Sequence, residues 1–195
     1  MKSLILIGID TTDVRRMMGK LDDKDQSMKK ALKKAVNETA KQARKRLVDE
    51  AKKKYAVKKN RFNESIKIKN ATTSKPVAYI ISSGEVNELM DFKVSPARYA
   101  TGEQRPDMLK GKVVKAKGMK RLQIGSLKAF ITKFSNGHQS VVQRTGKGRK
   151  IKKLLSPSAP VMLGNRKRVY GIVEPYIGDD LRENLRKFVS RQLGG

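Results

Sequence analysis

The chain has 195 residues, room for one domain or for one domain with an arm, and is 37% hydrophobic and only 5% aromatic, with no Trp. Its 46 Lys and Arg stand against 18 Asp and Glu, a formal net charge of +28. An acidic neighbour, nucleic acid or protein, is therefore expected; the plainer alternative is that the lysines only keep the chain soluble. The absence of cysteine excludes disulfides, thiolate catalysis and cysteine-ligated zinc, and no apolar run reaches the ~18 residues of a membrane-spanning helix.

Leu4 to Ile9 reads as a short buried strand. It is not read as a signal peptide, because the apolar stretch is brief and Asp10 and Asp13 follow at once. Thr11 or Thr12 caps a short helix through Leu21, with Asp13 near its positive end. Asp25 or Ser27 starts the main helix. Met28, Leu32, Ala35, Val36, Thr39, Ala43 and Leu47 recur at spacings of three and four, which makes one apolar face. The alanines on that face imply a thin or close contact. Glu38, Asp49 and Glu50 are too few to balance the surrounding lysines and arginines, so most of that charge meets solvent or an acidic partner. The helix is expected to fade near Tyr55-Ala56-Val57.

Lys58-Lys59-Asn60-Arg61 is a basic connector. Ser65 to Lys69 alternates as an exposed strand does, and Val77 to Ile81 reads as a more buried strand between turns at Ser74-Lys75-Pro76 and Ser82-Ser83-Gly84. Between residues 86 and 123, Leu89, Met90, Phe92 and Val94 offer packing, while Pro96, Gly102, Pro106 and Gly111 interrupt regular structure. Lys110, Lys112, Lys115, Lys117, Lys120 and Arg121 follow with no acid among them. Two readings stand: an extended hairpin or arm that orders on assembly, or a loose loop.

Ser126 to Phe134 reads as a strand, Asn136-Gly137 as a two-residue hairpin turn, and Ser140 to Arg144 as the returning strand. Phe130 and Phe134, four apart, share a face that is expected to point inward. Thr145 to Lys150 turns the chain again. In Ser156-Pro157-Ser158-Ala159-Pro160, helix is not expected until the second proline is passed. Asp179 or Asp180 caps a final helix, with Glu183 at capping-box spacing and Ile177 as a hydrophobic staple. Leu181, Leu185, Phe188, Val189 and Leu193 form its apolar face. The element pattern is α+β.

Catalytic chemistry is poorly supplied. His138 is the lone histidine, with no nucleophile or partner set in sequence, and is read as a structural or interface residue. Asp22, Asp23 and Asp25 resemble a Mg²⁺ cluster but sit at a helix start, where aspartates cap. Glu85, Glu88 and Asp91 are expected to pair with excess lysine. Gly146-Lys147-Gly148-Arg149-Lys150 lacks the GxxxxGK[ST] arrangement of a nucleotide loop. The expectation is no enzyme and no cofactor. Nucleic acid would be met through charge alone, without sequence readout. On composition, a histone-like or ribosome-associated nucleic-acid-binding protein is the competing reading.

The stretch from Ala129 to Leu163 narrows the choice. It runs Ala129-Phe130-Ile131, Asn136-Gly137-His138, Val142-Gln143-Arg144-Thr145-Gly146-Lys147, Ile151-Lys152-Lys153-Leu154 and Ser156-Pro157-Ser158-Ala159-Pro160-Val161-Met162-Leu163. This order resembles the minor tail protein Z family of long-tailed phages and prophages. Lys150 stands where that family often has proline, and Leu155 where it usually has glycine.

The resemblance implies an α+β fold, a long basic N-terminal helix packed on a small antiparallel sheet, with a C-terminal helix and an extended basic arm or loop. It implies one tail-completion-like domain over 1–195, with 86–123 as the loop or arm. It also implies a virion protein of the tail or neck, in the host cytoplasm during assembly, without catalysis, which forms a homo-oligomeric ring around the DNA channel at the tail-to-head junction. The partners would be tail terminator, tail tube or head-neck connector proteins, with non-specific contact to packaged DNA and no membrane. The expected interface or polyanion-facing residues are Lys30, Lys41, Arg44, Lys58, Lys59, Arg61, Lys112, Lys115, Lys117, Arg121, His138, Arg144, Lys147 and Arg149. By the same resemblance, His138, Arg144, Gly146 and Lys147 would shape or display a hairpin of the family type, and Pro157 and Pro160 would direct an extended segment against a neighbouring element or subunit.

Overall fold

The computed structural model describes residues 3–9, 26–58, 61–146 and 148–193. The expected helix through Leu21, the Asp22–Asp25 cluster, Lys59, Lys147 and the side chain of Leu193 lie outside the described residues.

Helix α1 (Gln26–Lys54) buries Met28, Leu32, Ala35, Val36, Thr39, Ala43 and Leu47, the whole face expected from spacing, together with Ala31, Ala40, Val48 and Ala51. It ends where expected, just before Tyr55. Lys52, Lys53 and Lys54 occupy its last turn, where the negative end of the helix dipole favours cations.

The most extensive partner of α1 is the C-terminal helix α4 (Tyr170–Leu193), which runs antiparallel to it. Met28 and Ala31 meet Val189 near one end, and Arg46 meets Asp180 towards the other. Asn184 is buried between the two helices and satisfied, its Nδ2 donating to Thr39 Oγ1 at 3.0 Å and to Gln42 Oε1 at 2.9 Å.

The expected start of α4 is corrected. Asp179 and Asp180 do not cap it, because the helix begins at Tyr170 and continues through Pro175. Proline removes one N–H donor and crowds the carbonyl four residues earlier, here that of Gly171. The preceding turn is held by Asn165, whose carbonyl accepts the N–H groups of Arg168, Val169 and Tyr170. Leu181, Leu185 and Val189 are buried and Phe188 packs beside them, as the apolar spacing indicated.

Strands β1 (Ser3–Ile9), β2 (Ile66–Lys69) and β3 (Ala78–Gly84) form an antiparallel sheet in the order β1-β3-β2. Ile7, Ile9, Ile66, Ala78 and Ile80 join the core containing the α1 side chains. Two expectations change. β1 is buried on one side only, with Leu4 69% and Leu6 57% exposed. Ser82-Ser83-Gly84 is not a turn but the end of β3, paired with Ile5, Leu4 and Ser3. Between α1 and β2 lies α2 (Arg61–Ser65), anchored by fully buried Phe62.

From β3 the chain enters β4 (Asn87–Glu88), a 3₁₀ turn at Leu89–Asp91 and β5 (Lys93–Ser95). β5 pairs with β6 (Lys110–Lys112), which pairs with β7 (Lys120–Arg121). The second sheet orders β11-β10-β9-β8, from β8 (Gln123–Ile124), β9 (Leu127–Lys133), β10 (Gln139–Arg144) and β11 (Ile151–Lys153). Leu89, Val94, Leu109, Ala129, Ile131 and Val141 form a second core. A short pairing of β4 with β12 (Leu155–Ser156) leads to α3 (Ala159–Leu163).

Two local expectations are also corrected. α3 starts before the second proline, because Pro160 falls in its first turn, where no intrahelical N–H is needed. The Asn136-Gly137 hairpin has three loop residues rather than two. Phe134 N–H donates to His138 O, Gly137 N–H donates to Phe134 O, and Gly137 takes φ +80°. That is a type I turn followed by a glycine bulge.

Candidate functional site

The expected basic residues do not converge on one place. Lys30 and Lys41 lie on the exposed outer side of α1, Lys41 beside Glu38 at 3.5 Å. Arg44 donates to Asn63 O at 3.1 Å, which ties α1 to α2.

A second group collects at the C-terminal end of α1. The segment after β6 pairs with the residues leaving the helix. Ala56 N–H donates to Val113 O, and Lys115 N–H donates to Lys54 O, each at 2.8 Å, around a bridge between Tyr55 and Val114. This places Lys112, Lys115 and Lys117 close to Lys54 and Lys58. Lys112 Nζ donates to Lys115 O at 3.0 Å, and Lys58 N–H donates to Asp91 O at 2.9 Å. Arg61 is engaged in an ion pair with Asp91 at 2.8 Å. Arg121 faces Lys110 across the β6–β7 pairing.

The third group sits on the second sheet. His138 Nε2 lies 2.9 Å from Glu88 Oε2, and Lys153 Nζ donates to Glu88 Oε1 at 2.7 Å. Burial alone would raise the pKa of Glu88, but its hydrogen bonds and the charge of Lys153 outweigh that and hold it down at about 2. The Glu88 carboxylate therefore joins β4 to the β9–β10 hairpin and to β11. His138 also stacks on Phe134, with ring centroids 6.2 Å apart.

The expected inward face of Phe130 and Phe134 is corrected. Ala129 and Ile131 enter the second core, and Phe130 and Phe134 lie on the opposite side, half-buried. Basic groups cover them: Lys153 Nζ stands 5.2 Å from the Phe134 centroid, and the guanidinium carbons of Arg105 and Arg144 stand 4.7 Å and 5.9 Å from that of Phe130. Arg144 also donates to Gly148 O at 3.0 Å, and Arg149 is exposed in the turn that follows.

Sequence reasoning missed Arg105, Lys153 and the central place of Glu88. One signal was available. The acid-free run does not stop at Arg121; no Asp or Glu occurs between Asp107 and Glu174. The expected pairing of Glu88 and Asp91 with basic residues is present, and both line an open groove of about 860 Å³ with Glu64, Glu85, Arg61 and His138.

Residues 14–193 match the family described as prophage minor tail protein Z (GPZ). The chain belongs to that family. It is thus a structural phage tail protein and a virion component that meets other tail or head components. No curated protein and no solved structure matches the chain. Among the described residues, no helix is long and apolar enough to cross a membrane, and no cluster of three or more His, Cys, Asp or Glu is placed to hold a metal ion.

Proposed function

We propose that the chain completes the phage tail and helps form the tail-to-head junction, assembling as a homo-oligomeric ring around the DNA channel without catalysing a reaction. Family membership carries this reading. The charge distribution supports it: the span without an acid, from Asp107 to Glu174, includes β6 through β11. A ring multiplies like charge, so +28 per copy needs DNA or acidic neighbours to offset it. The basic groups on α1, at its C-terminal end and on the second sheet are the surfaces offered to them. Tail terminator, tail tube or head-neck connector proteins are the partners in this reading, and assembly takes place in the host cytoplasm.

The test is to image particles assembled with and without the chain, and to measure the mass of the purified assembly. A ring or plug lost from the head-proximal end of the tail, together with a closed oligomeric mass, is the expected result. Intact tails joined normally to heads in its absence would overturn the proposal.

A further inference from the structure

Arg105 and Arg144 approach one aromatic ring, that of Phe130, from different segments of the chain. Neither guanidinium forms an ion pair among the described residues. Each is instead held by a backbone carbonyl: Arg105 Nε donates to Ala100 O at 3.4 Å and Arg144 donates to Gly148 O at 3.0 Å. A guanidinium has five N–H donors, so one bond orients it and leaves the others to spend. Glu103 and Asp107 flank Arg105 in sequence without pairing with it. Both guanidiniums therefore keep donors for oxyanions, and their planar forks suit phosphate oxygens.

We infer that Arg105, Arg144 and Phe130 form a binding site for the phosphodiester backbone of DNA. The surroundings favour a phosphate chain over a single carboxylate. Lys128 shares the face of Phe130 on β9 and lies at the Arg144 end of the hairpin, and Arg149 stands in the turn beyond Arg144, so further cationic groups gather at that end of the sheet. An extended cationic surface fits a ligand with regularly repeated charges. The ring orients the guanidiniums and gives no base readout, so binding is independent of sequence. This inference rests on the reading that DNA passes beside the protein, but it assigns the contact to the second sheet rather than to the lysines of α1.

The experiment uses the purified full chain and a mixed-sequence DNA duplex, titrated over a range of salt concentrations. R105Q with R144Q is expected to lower the slope of log affinity against log salt by roughly 2, about one per lost phosphate contact. K30Q with K41Q removes the same charge and is expected to change that slope by less than half as much. Equal loss in both double variants, or no loss in the first, would overturn the inference. If R105Q with R144Q fails to fold, R105Q alone, at an exposed side chain, is expected to lower the slope by about 1. Two competition arms identify the source of the anion. Inorganic phosphate that saturates the site while DNA binding stays unaltered by the variants, or polyglutamate bound there in preference to DNA, would overturn the assignment to DNA. Particle imaging separates this from the ring proposal: DNA binding can fail while the ring survives, and the reverse.

Discussion

Arg46 holds Asp180 with two parallel hydrogen bonds, Nε to Oδ2 at 3.0 Å and a terminal nitrogen to Oδ1 at 2.9 Å. The bidentate contact joins residues 134 apart in sequence and locks α1 against α4. Arg46 is half exposed and Asp180 nearly buried, so solvent screens one partner only. Asp180→Ala is expected to cost about 1 kcal/mol of stability, with most of that loss absent when Arg46 is already replaced. Denaturant unfolding of the four proteins in a double-mutant cycle measures it.

Glu88 gives a pH dependence. Its pKa is depressed in the folded protein, to about 2 from the ordinary 4.5. A carboxylate shifted this way contributes stability that is complete above the unfolded pKa and is lost as pH falls through the folded one. Glu88→Gln should therefore be less stable than the parent at pH 6. The difference should shrink from about pH 4.5 downward and close near pH 2. Urea unfolding at a series of pH values would detect it; a constant gap across that window would contradict the Glu88 contact.

Two glycines are required by geometry. A Cβ on Gly171 would collide with the backbone carbonyl of Arg166, which belongs to the turn entering α4. Gly137 has open space but a left-handed φ of +80°. Gly171→Ala should lower the melting temperature more than Gly137→Ala, for which a penalty of about 1 kcal/mol is expected. Gly137→Asn should lose less than Gly137→Ala, because asparagine tolerates that conformation better.

Ala43 is fully buried between α1 and its neighbours. Ala43→Leu adds volume at a fully buried core position, and an expected loss of about 1–3 kcal/mol follows. Leu47→Ala, which opens a cavity one turn away, should cost about 2–5 kcal/mol. Thermal unfolding of both variants tests whether this face tolerates neither gain nor loss of volume.

Lys30 and Lys41 are eleven residues apart, about three helical turns, so they share one exposed side of α1. K30E with K41E should leave the circular dichroism and melting temperature nearly unchanged and reduce joining of tails to heads. A normal yield of infectious particles would show that this side of the helix is not used in assembly.

The two long helices were legible because their apolar residues recur locally. Met28 to Leu47 and Leu181 to Val189 each specify a face with no knowledge of the partner. What stayed hidden depends on context beyond the segment. Asp179-Asp180 imitates a helix start, and Pro175 hides the five residues of helix that precede it. Spacing places Phe130 and Phe134 on a common face but does not say which side the second core occupies. Ser82-Ser83-Gly84 has turn composition, yet β1 supplies the partner that makes it strand. The candidate surfaces were least legible. The His138–Glu88–Lys153 contacts span 50 and 65 residues, and the pairing of Arg105 with Phe130 depends on where an irregular loop returns.

β1 has consequences for handling as well as for architecture. Its sequence, Ser-Leu-Ile-Leu-Ile-Gly-Ile, carries no charge, it occupies the end of its sheet, and Leu4 and Leu6 face outward. A strand of that kind is a template for unwanted pairing between copies. The large positive charge elsewhere works against such encounters over roughly a Debye length, about 10 Å at 0.1 M salt. Colloidal stability should therefore be best in dilute salt and fall as salt rises, the reverse of what a weakly charged protein with the same strand would show.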